Sequence, residues 1–222
     1  MRFLKILILN LSFLCSIQAA EFSLQTLSST PRIFIIPDFL SSAECDHIIK
    51  EASPHLKAST VVDDDQPLAG KLDPRRSSQG MFFSSKPKDK ILRKIETRIS
   101  RLTKMPIENG EAIQVLHYDV GGEYQPHYDF FPSNTVGGIS QLNRGGQRVI
   151  TVIMYLNTPQ EGGETIFPQA NVSVTPKKGT ALLFYNCTPD GKEDPLALHG
   201  GAPVKAGEKW IATKWIRFGI FH

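Results

Sequence analysis

Apolar residues recur along this chain with two different periods, and the change from one to the other falls near Glu111. Ahead of that point the spacing is helical. Ser41 stands where a hydroxyl can cap the first free N–H groups of a helix, Glu44 completes a capping box, and Cys45, Ile48 and Ile49 follow as an apolar stripe. A second helix is predicted over residues 86–105, where Ile91, Leu92, Ile95, Ile99 and Leu102 share one side and lysines and arginines cover the other. Residues 60–79 between them are rich in Asp, Pro, Gly, Lys and Arg and carry no apolar period, which predicts a long irregular loop.

After Glu111 the period falls to two, and turn residues punctuate it. Strands are expected at residues 112–120, 122–129, 148–156, 164–167, 172–176, 181–185, 196–205 and 209–217, with a polar, glycine-rich loop at 132–147. Short strands of this kind, preceded by helices, suggest a mainly β protein whose strands form a double-sheet jelly roll braced from outside by the helices. In the last strand, alternation puts Lys209, Ile211, Thr213 and Trp215 on one face and Trp210, Ala212 and Lys214 on the other. A lysine heading an otherwise apolar inward row calls for an anion.

The 222 residues read as a leader and one domain. Residues 1–20 have the build of a signal peptide: Arg2 and Lys5, an apolar run from Ile6 to about Cys15, and small residues at Ala19-Ala20. Cleavage would leave a single domain at 21–222, exported to the outside, the periplasm or a secretory lumen, with no stable membrane span. A retained signal anchor is the alternative, because Gln18 stands where a cleavage site favours a small residue. The formal charge of +3 includes Arg2 and Lys5, so the domain itself is near neutral and nucleic acid is not an expected partner. Of three cysteines, Cys15 leaves with the leader. Cys45 and Cys187 could pair in an oxidising compartment, although Cys45 lies inside a helix pattern, where a small buried thiol is the ordinary explanation. Asn171-Val172-Ser173 and Asn186-Cys187-Thr188 have the form of N-glycosylation acceptors.

Candidate chemistry centres on histidine. The chain holds two His-x-Asp pairs, His117/Asp119 and His127/Asp129, and a distant His199. Residues i and i+2 of a strand share a face, so either pair can offer one imidazole and one carboxylate to an ion, with His199 as a third ligand. Two imidazoles and a carboxylate leave open positions on an octahedron, the arrangement used by non-haem Fe(II) oxygenases. Spacing alone does not choose between the pairs.

The ordered run Tyr118-x-x-Gly121-x-x-Tyr124-x-x-His127-x-Asp129, Gly146-Gln147-Arg148, Gly162-Gly163-Glu164-Thr165-x-Phe167-Pro168, Pro176-Lys177-Lys178-Gly179, and His199 followed by Lys209-Trp210 and Lys214-Trp215 resembles the catalytic domain of the collagen-type prolyl 4-hydroxylases. The resemblance spans about residues 31–217. It implies a double-stranded β-helix, and Fe(II) held by His127, Asp129 and His199, with His117 turned away. It implies 2-oxoglutarate as cosubstrate, its far carboxylate met by Lys209, Tyr118 and Thr165. It assigns Tyr124, Arg148 and Trp215 to a peptide groove and residues 60–79 to a lid over the substrate. The implied reaction hydroxylates peptidyl proline at C4 and releases succinate and CO2, with L-ascorbate restoring oxidised iron.

A proline-containing peptide or protein is therefore the expected partner. With the chain ending at His222, soon after the last strand, a monomer or simple homo-oligomer is expected. The alternatives are a hydroxylase of another peptide or amino-acid side chain on the same fold, a non-catalytic cupin-like metal-binding protein, and a structural sandwich. The last fits poorly with His127, Asp129, His199 and Lys209 all facing inward.

Overall fold

The computed structural model describes residues 22–68 and 70–222; the leader predicted at 1–20 lies outside them. In chain order the elements are β1 (Gln25–Ser29), β2 (Arg32–Ile36), α1 (Ser42–Ala52), β3 (Lys57–Ala58), β4 (Val61–Val62), β5 (Gly70–Lys71), β6 (Gln79–Phe82), α2 (Lys90–Thr103), β7 (Gln114–Tyr118), β8 (Tyr124–His127), α3 (Val136–Leu142), β9 (Arg148–Tyr155), β10 (Glu161–Gly162), β11 (Thr165–Phe167), β12 (Val172–Val174), β13 (Ala181–Tyr185), β14 (His199–Gly201), β15 (Val204–Ala206) and β16 (Lys209–Arg217). A major sheet runs β1-β2-β13-β9-β16-β7-β6-β3, and a minor sheet runs β12-β11-β14-β8. This is the double-sheet jelly roll expected from the strand pattern.

Alternation along the major sheet builds two cores. Leu116, Ile153, Leu182 and Ile211 point inward and meet Phe167 and Val174 of the minor sheet. Their neighbours Val115, Met154, Leu183 and Ala212 point outward, where Cys45 and Ile48 of α1 and Leu92, Ile95 and Ile99 of α2 cover them. The helices thus stiffen the sheet from behind and leave its inner face to the site. No described helix is long and apolar enough to cross a membrane.

The α1 capping box forms as predicted: Ser41 Oγ accepts the Glu44 N–H and Glu44 accepts the Ser41 N–H. Helix α2 is shorter than the predicted 86–105. Asp89 caps it by accepting the N–H groups of Ile91 and Leu92, and Lys104 ends it in a left-handed turn at φ 58°. Three further differences are larger. The hairpin β1–β2 precedes the helices, and Arg32–Ile36 pairs with β13, so strand formation starts well ahead of Glu111. The region predicted as strand 196–205 is divided among a short 3-10 turn, β14 and β15.

The expected loop at 132–147 contains α3, started by Thr135, which accepts the Gly138 N–H. Its glycines are there for close approach. A Cβ on Gly137 would lie 2.0 Å from the Asp63 carbonyl oxygen, and one on Gly138 would lie 1.9 Å from that of Pro132. Packing therefore sets a composition that reads as loop. The contact at Gly137 also docks the 60–79 loop on α3, where the Gly137 N–H donates to Asp64 O and Thr135 Oγ1 donates to Asp64 Oδ1.

Candidate metal and cosubstrate site

Antiparallel pairing of β8 with β14 sets His127 directly opposite His199, with ring centroids 4.5 Å apart. Asp129 lies past the end of β8, on a bend, so the strand-face argument for its orientation does not hold. The bend nevertheless turns its carboxylate inward, with Oδ1 3.7 Å from His127 Nε2 and Oδ2 3.5 Å from His199 Nε2. The potential ligand atoms of the three residues lie within 4.8 Å of one another, the one such group among the described residues. His127 Nδ1 sits 2.9 Å from Gln125 O and His199 Nδ1 3.1 Å from Ala197 O. A carbonyl only accepts, so each Nδ1 carries a hydrogen, and Nε2 is the nitrogen turned toward the Asp129 carboxylate.

The electrostatics of the cluster are resolved at His127 and Asp129. Burial, then the adjacent His199, lowers the pKa of His127 to about 3, so its imidazole is neutral at ordinary pH. Burial alone would raise Asp129, but His199, His127, Arg148 and the Thr151 hydroxyl outweigh it and hold the carboxyl at about 2. Two imidazole nitrogens and an ionised carboxylate fit a divalent iron ion, and the one-sided convergence leaves room for further ligands. The second His-x-Asp pair is elsewhere: His117 faces the other side of the sheet, 2.8 Å from Glu208 with its ring 4.3 Å from that of Trp210.

The triad shares a pocket with the inward row of β16, so Lys209, Ile211, Thr213 and Trp215 all line it as alternation predicts. Lys209 is 3% exposed. Burial pushes its ammonium down to about 8, with only the field of Glu164 acting the other way. Tyr118, opposite Lys209 in the β7–β16 register, lies with its ring centroid 5.4 Å from Nζ. Thr165 closes the same end of the pocket, and its hydroxyl accepts from Tyr155 at 2.8 Å. A buried cation in a pocket that Tyr118 and Thr165 also line suits one end of a small dicarboxylate. Lys214, on the opposite face, is instead consumed by Glu96 of α2 at 2.7 Å.

Tyr124 stacks on His127 with ring centroids 3.6 Å apart, and Tyr124 and Trp215 both line the pocket. Trp215 Nε1 is buried with no hydrogen-bond partner among the described residues. Arg148 departs from expectation, because it does not line the pocket. Its guanidinium lies 3.9 Å from the Trp215 ring centroid and forks onto Glu111 at 2.6 and 2.8 Å, and Arg217 shares that carboxylate at 2.6 Å. An ion pair made by the sheet itself holds it behind the tryptophan.

Sequence reading missed Arg76. Residues 75–77 lie along β8, with Ser77 N–H donating to Glu123 O and Gln125 N–H to Arg75 O, which brings Arg76 into the pocket wall 4.9 Å from the Tyr124 ring. It donates to Gln114 and to Thr60 O. The only sequence signal was its place in Asp73-Pro74-Arg75-Arg76-Ser77, a polar stretch without period. Cys45 and Cys187 are both free and buried.

The sequence profile of the 2OG-Fe(II) oxygenase superfamily matches residues 113–217. Among similar proteins of Arabidopsis thaliana, "Probable prolyl 4-hydroxylase 10" is 43% identical over 87% of this chain and 71% of its own length. Prolyl 4-hydroxylase 5 is 42% identical over 89% and 72%. A viral collagen prolyl hydroxylase from Paramecium Bursaria Chlorella virus-1, solved as its 2OG complex, superposes with a TM-score of 0.65 at 31% identity, covering 83% of this chain and 95% of its own. A Trichoplax adhaerens prolyl hydroxylase, solved with a hypoxia inducible factor peptide fragment, shares the fold at TM-score 0.58 and 19% identity over 83% of each chain.

Proposed function

The chain belongs to the prolyl 4-hydroxylase family of 2-oxoglutarate- and Fe(II)-dependent oxygenases, and from that premise we propose that it hydroxylates proline at C4 in an extended peptide. The observation that carries this reading is the shared pocket, lined by the His127–Asp129–His199 cluster, by a buried lysine with no ion-pair partner among the described residues, and by the aromatic rings of Tyr118, Tyr124 and Trp215.

In this reading His127 Nε2, His199 Nε2 and the Asp129 carboxylate hold Fe(II), which supplies the activation of dioxygen coupled to decarboxylation of 2-oxoglutarate. Lys209 pairs with the far carboxylate of the cosubstrate, and the hydroxyls of Tyr118 and Thr165 orient it. Tyr124 and Trp215 pack on prolyl rings. Carbonyls of a polyproline II segment have no internal partners, so one of them can accept from Trp215 Nε1. Arg148 acts on the peptide indirectly, by fixing the plane of the Trp215 ring. The apolar inner core keeps water from the reacting centre, and succinate and CO2 leave as products.

L-ascorbate would restore iron oxidised in turnovers without peptide. Export through the residue 1–20 leader would bring the enzyme to secreted or lumenal proline-rich proteins, acting as a monomer or simple homo-oligomer. The test is mass spectrometry of (Pro-Pro-Gly) and other proline-rich peptides after incubation with enzyme, Fe(II), 2-oxoglutarate and ascorbate. Gain of one oxygen on proline, matched by succinate, supports the reading. Succinate without any modified peptide across the panel would refute peptidyl proline as substrate.

A further inference from the structure

Behind the Asp129 carboxylate stands a chain of two buried polar side chains that sequence reading did not connect to the site. Thr151, in the middle of β9, is fully buried and its Oγ1 lies 2.7 Å from Asp129 Oδ2. Asn186, just past β13, is also fully buried and its Nδ2 lies 2.9 Å from Thr151 Oγ1. The direction of both bonds follows from chemistry. An ionised carboxylate only accepts, so the single hydroxyl hydrogen of Thr151 goes to Asp129. The hydroxyl oxygen then has lone pairs to satisfy, and the amide of Asn186 supplies the donor.

Neither end of this chain is free to move. Thr151 is held between strands, opposite Phe184 of β13 and Trp215 of β16. Asn186 is fixed through its backbone, donating to Val149 O and accepting from the Asp194 N–H. Asp129 lacks such support from its own strand, since it sits on a bend beyond β8. Side chains of this rigidity are the means by which a protein sets the orientation of a metal-ligating carboxylate.

We propose that Thr151 and Asn186 are positioning residues for the metal carboxylate, fixing Asp129 so that Oδ2 is occupied by the hydroxyl and Oδ1 is left to bind the ion. This rests on the reading that His127, Asp129 and His199 take Fe(II). It also gives the Asn186-Cys187-Thr188 motif a role other than glycosylation: its amide nitrogen is buried and engaged, whereas Asn171 of the other motif is exposed. Without the hydroxyl, the carboxylate would rotate or bind through both oxygens, weakening and reshaping the site.

The test uses Co(II), a redox-stable probe, added anaerobically to the full metal-free protein, with affinity from calorimetry and coordination from the visible d–d spectrum. Thr151→Val keeps the side-chain shape and removes the hydroxyl. It should bind Co(II) about 10- to 100-fold more weakly with an altered spectrum, and Thr151→Ser should restore both. Asn186→Ala should weaken binding to a smaller extent, and it carries the test together with Thr151→Ser should the valine variant fail to fold. A merely structural role would lower the melting temperature of the metal-free variants yet leave Co(II) affinity and spectrum unchanged, which would overturn the proposal. So would a serine variant as weak as the valine variant, or an Asn186→Ala variant with wild-type affinity and spectrum. Failure of the wild-type protein itself to bind Co(II) would instead overturn the metal assignment, and the positioning proposal with it.

Discussion

Replacing Lys209 by methionine should stabilise the cosubstrate-free protein while removing most of its affinity for 2-oxoglutarate. The side chain is 3% exposed, and its pKa falls from the ordinary 10.5 to about 8. That difference corresponds to roughly 3 kcal/mol of unfavourable burial carried by the ammonium. The sign follows directly. A lysine whose folded-state pKa lies below its unfolded value opposes folding while it is protonated, fully below about pH 8 and no longer once the pH passes 10.5. Methionine, similar in length and apolar, escapes that penalty, so at neutral pH the metal-free variant should melt several degrees higher. A carboxylate brought to the same ammonium recovers the penalty as a charge-assisted contact. Losing about 3 kcal/mol of it raises the KM for 2-oxoglutarate on the order of 100-fold. Differential scanning calorimetry and steady-state succinate production read the two effects, with Fe(II) affinity measured as a control. A variant that melts lower and keeps its KM would refute the reasoning, because Lys209 would then be structural.

Three further outcomes are expected. The affinity for 2-oxoglutarate should be flat with pH below about 8 and weaken up to tenfold per pH unit above it, as free Lys209 loses its proton; calorimetric titration across that range tests this, and an affinity constant to about pH 9.5 would contradict it. Trp215→Phe keeps the aromatic wall but removes the unpartnered Nε1 donor, so it should raise the peptide KM by roughly tenfold with little change in that for 2-oxoglutarate; equal changes in both would place the tryptophan in the core and not in the groove. Glu96→Gln strands the buried Lys214 ammonium, 2% exposed and otherwise paired at 2.7 Å, and should cost about 3–5 kcal/mol, roughly 6–20 °C in melting temperature for a domain of this size; a loss under a degree in calorimetry would mean that water reaches the pair.

The parts of this molecule that follow a period were legible before any coordinates. The inward row Lys209, Ile211, Thr213 and Trp215 is set by pleat alone, and the α1 capping box is set by residue chemistry within four positions. What period does not encode was harder to read. Arg32–Ile36 is an almost continuous apolar run, and it alternates too weakly to mark its two faces, since both of them are covered. Asp129 reaches the centre through a bend, for which i, i+2 spacing carries no information. Arg148 looked like a groove cation because its partner Glu111 lies 37 residues away in sequence and pairs with it only in the folded sheet. Thr151 and Asn186 were invisible for a similar reason, since a buried polar pair is recognised by what lies behind a ligand. The choice between the two His-x-Asp pairs also needed more than spacing. The family resemblance made it, and the β8–β14 register then placed His127 opposite His199 and left His117 on the far face.

That choice is the joint on which the account turns, and comparing two single variants tests it most directly. His127→Ala and His117→Ala should be assayed side by side for anaerobic Co(II) binding and for iron-dependent hydroxylation of a proline-rich peptide, followed by mass spectrometry. The account predicts that His127→Ala loses both, because a ligand is gone, and that His117→Ala keeps wild-type metal affinity and most of its turnover. An inactive His117→Ala beside an active His127→Ala would contradict it, and would move the metal to the other side of the sheet.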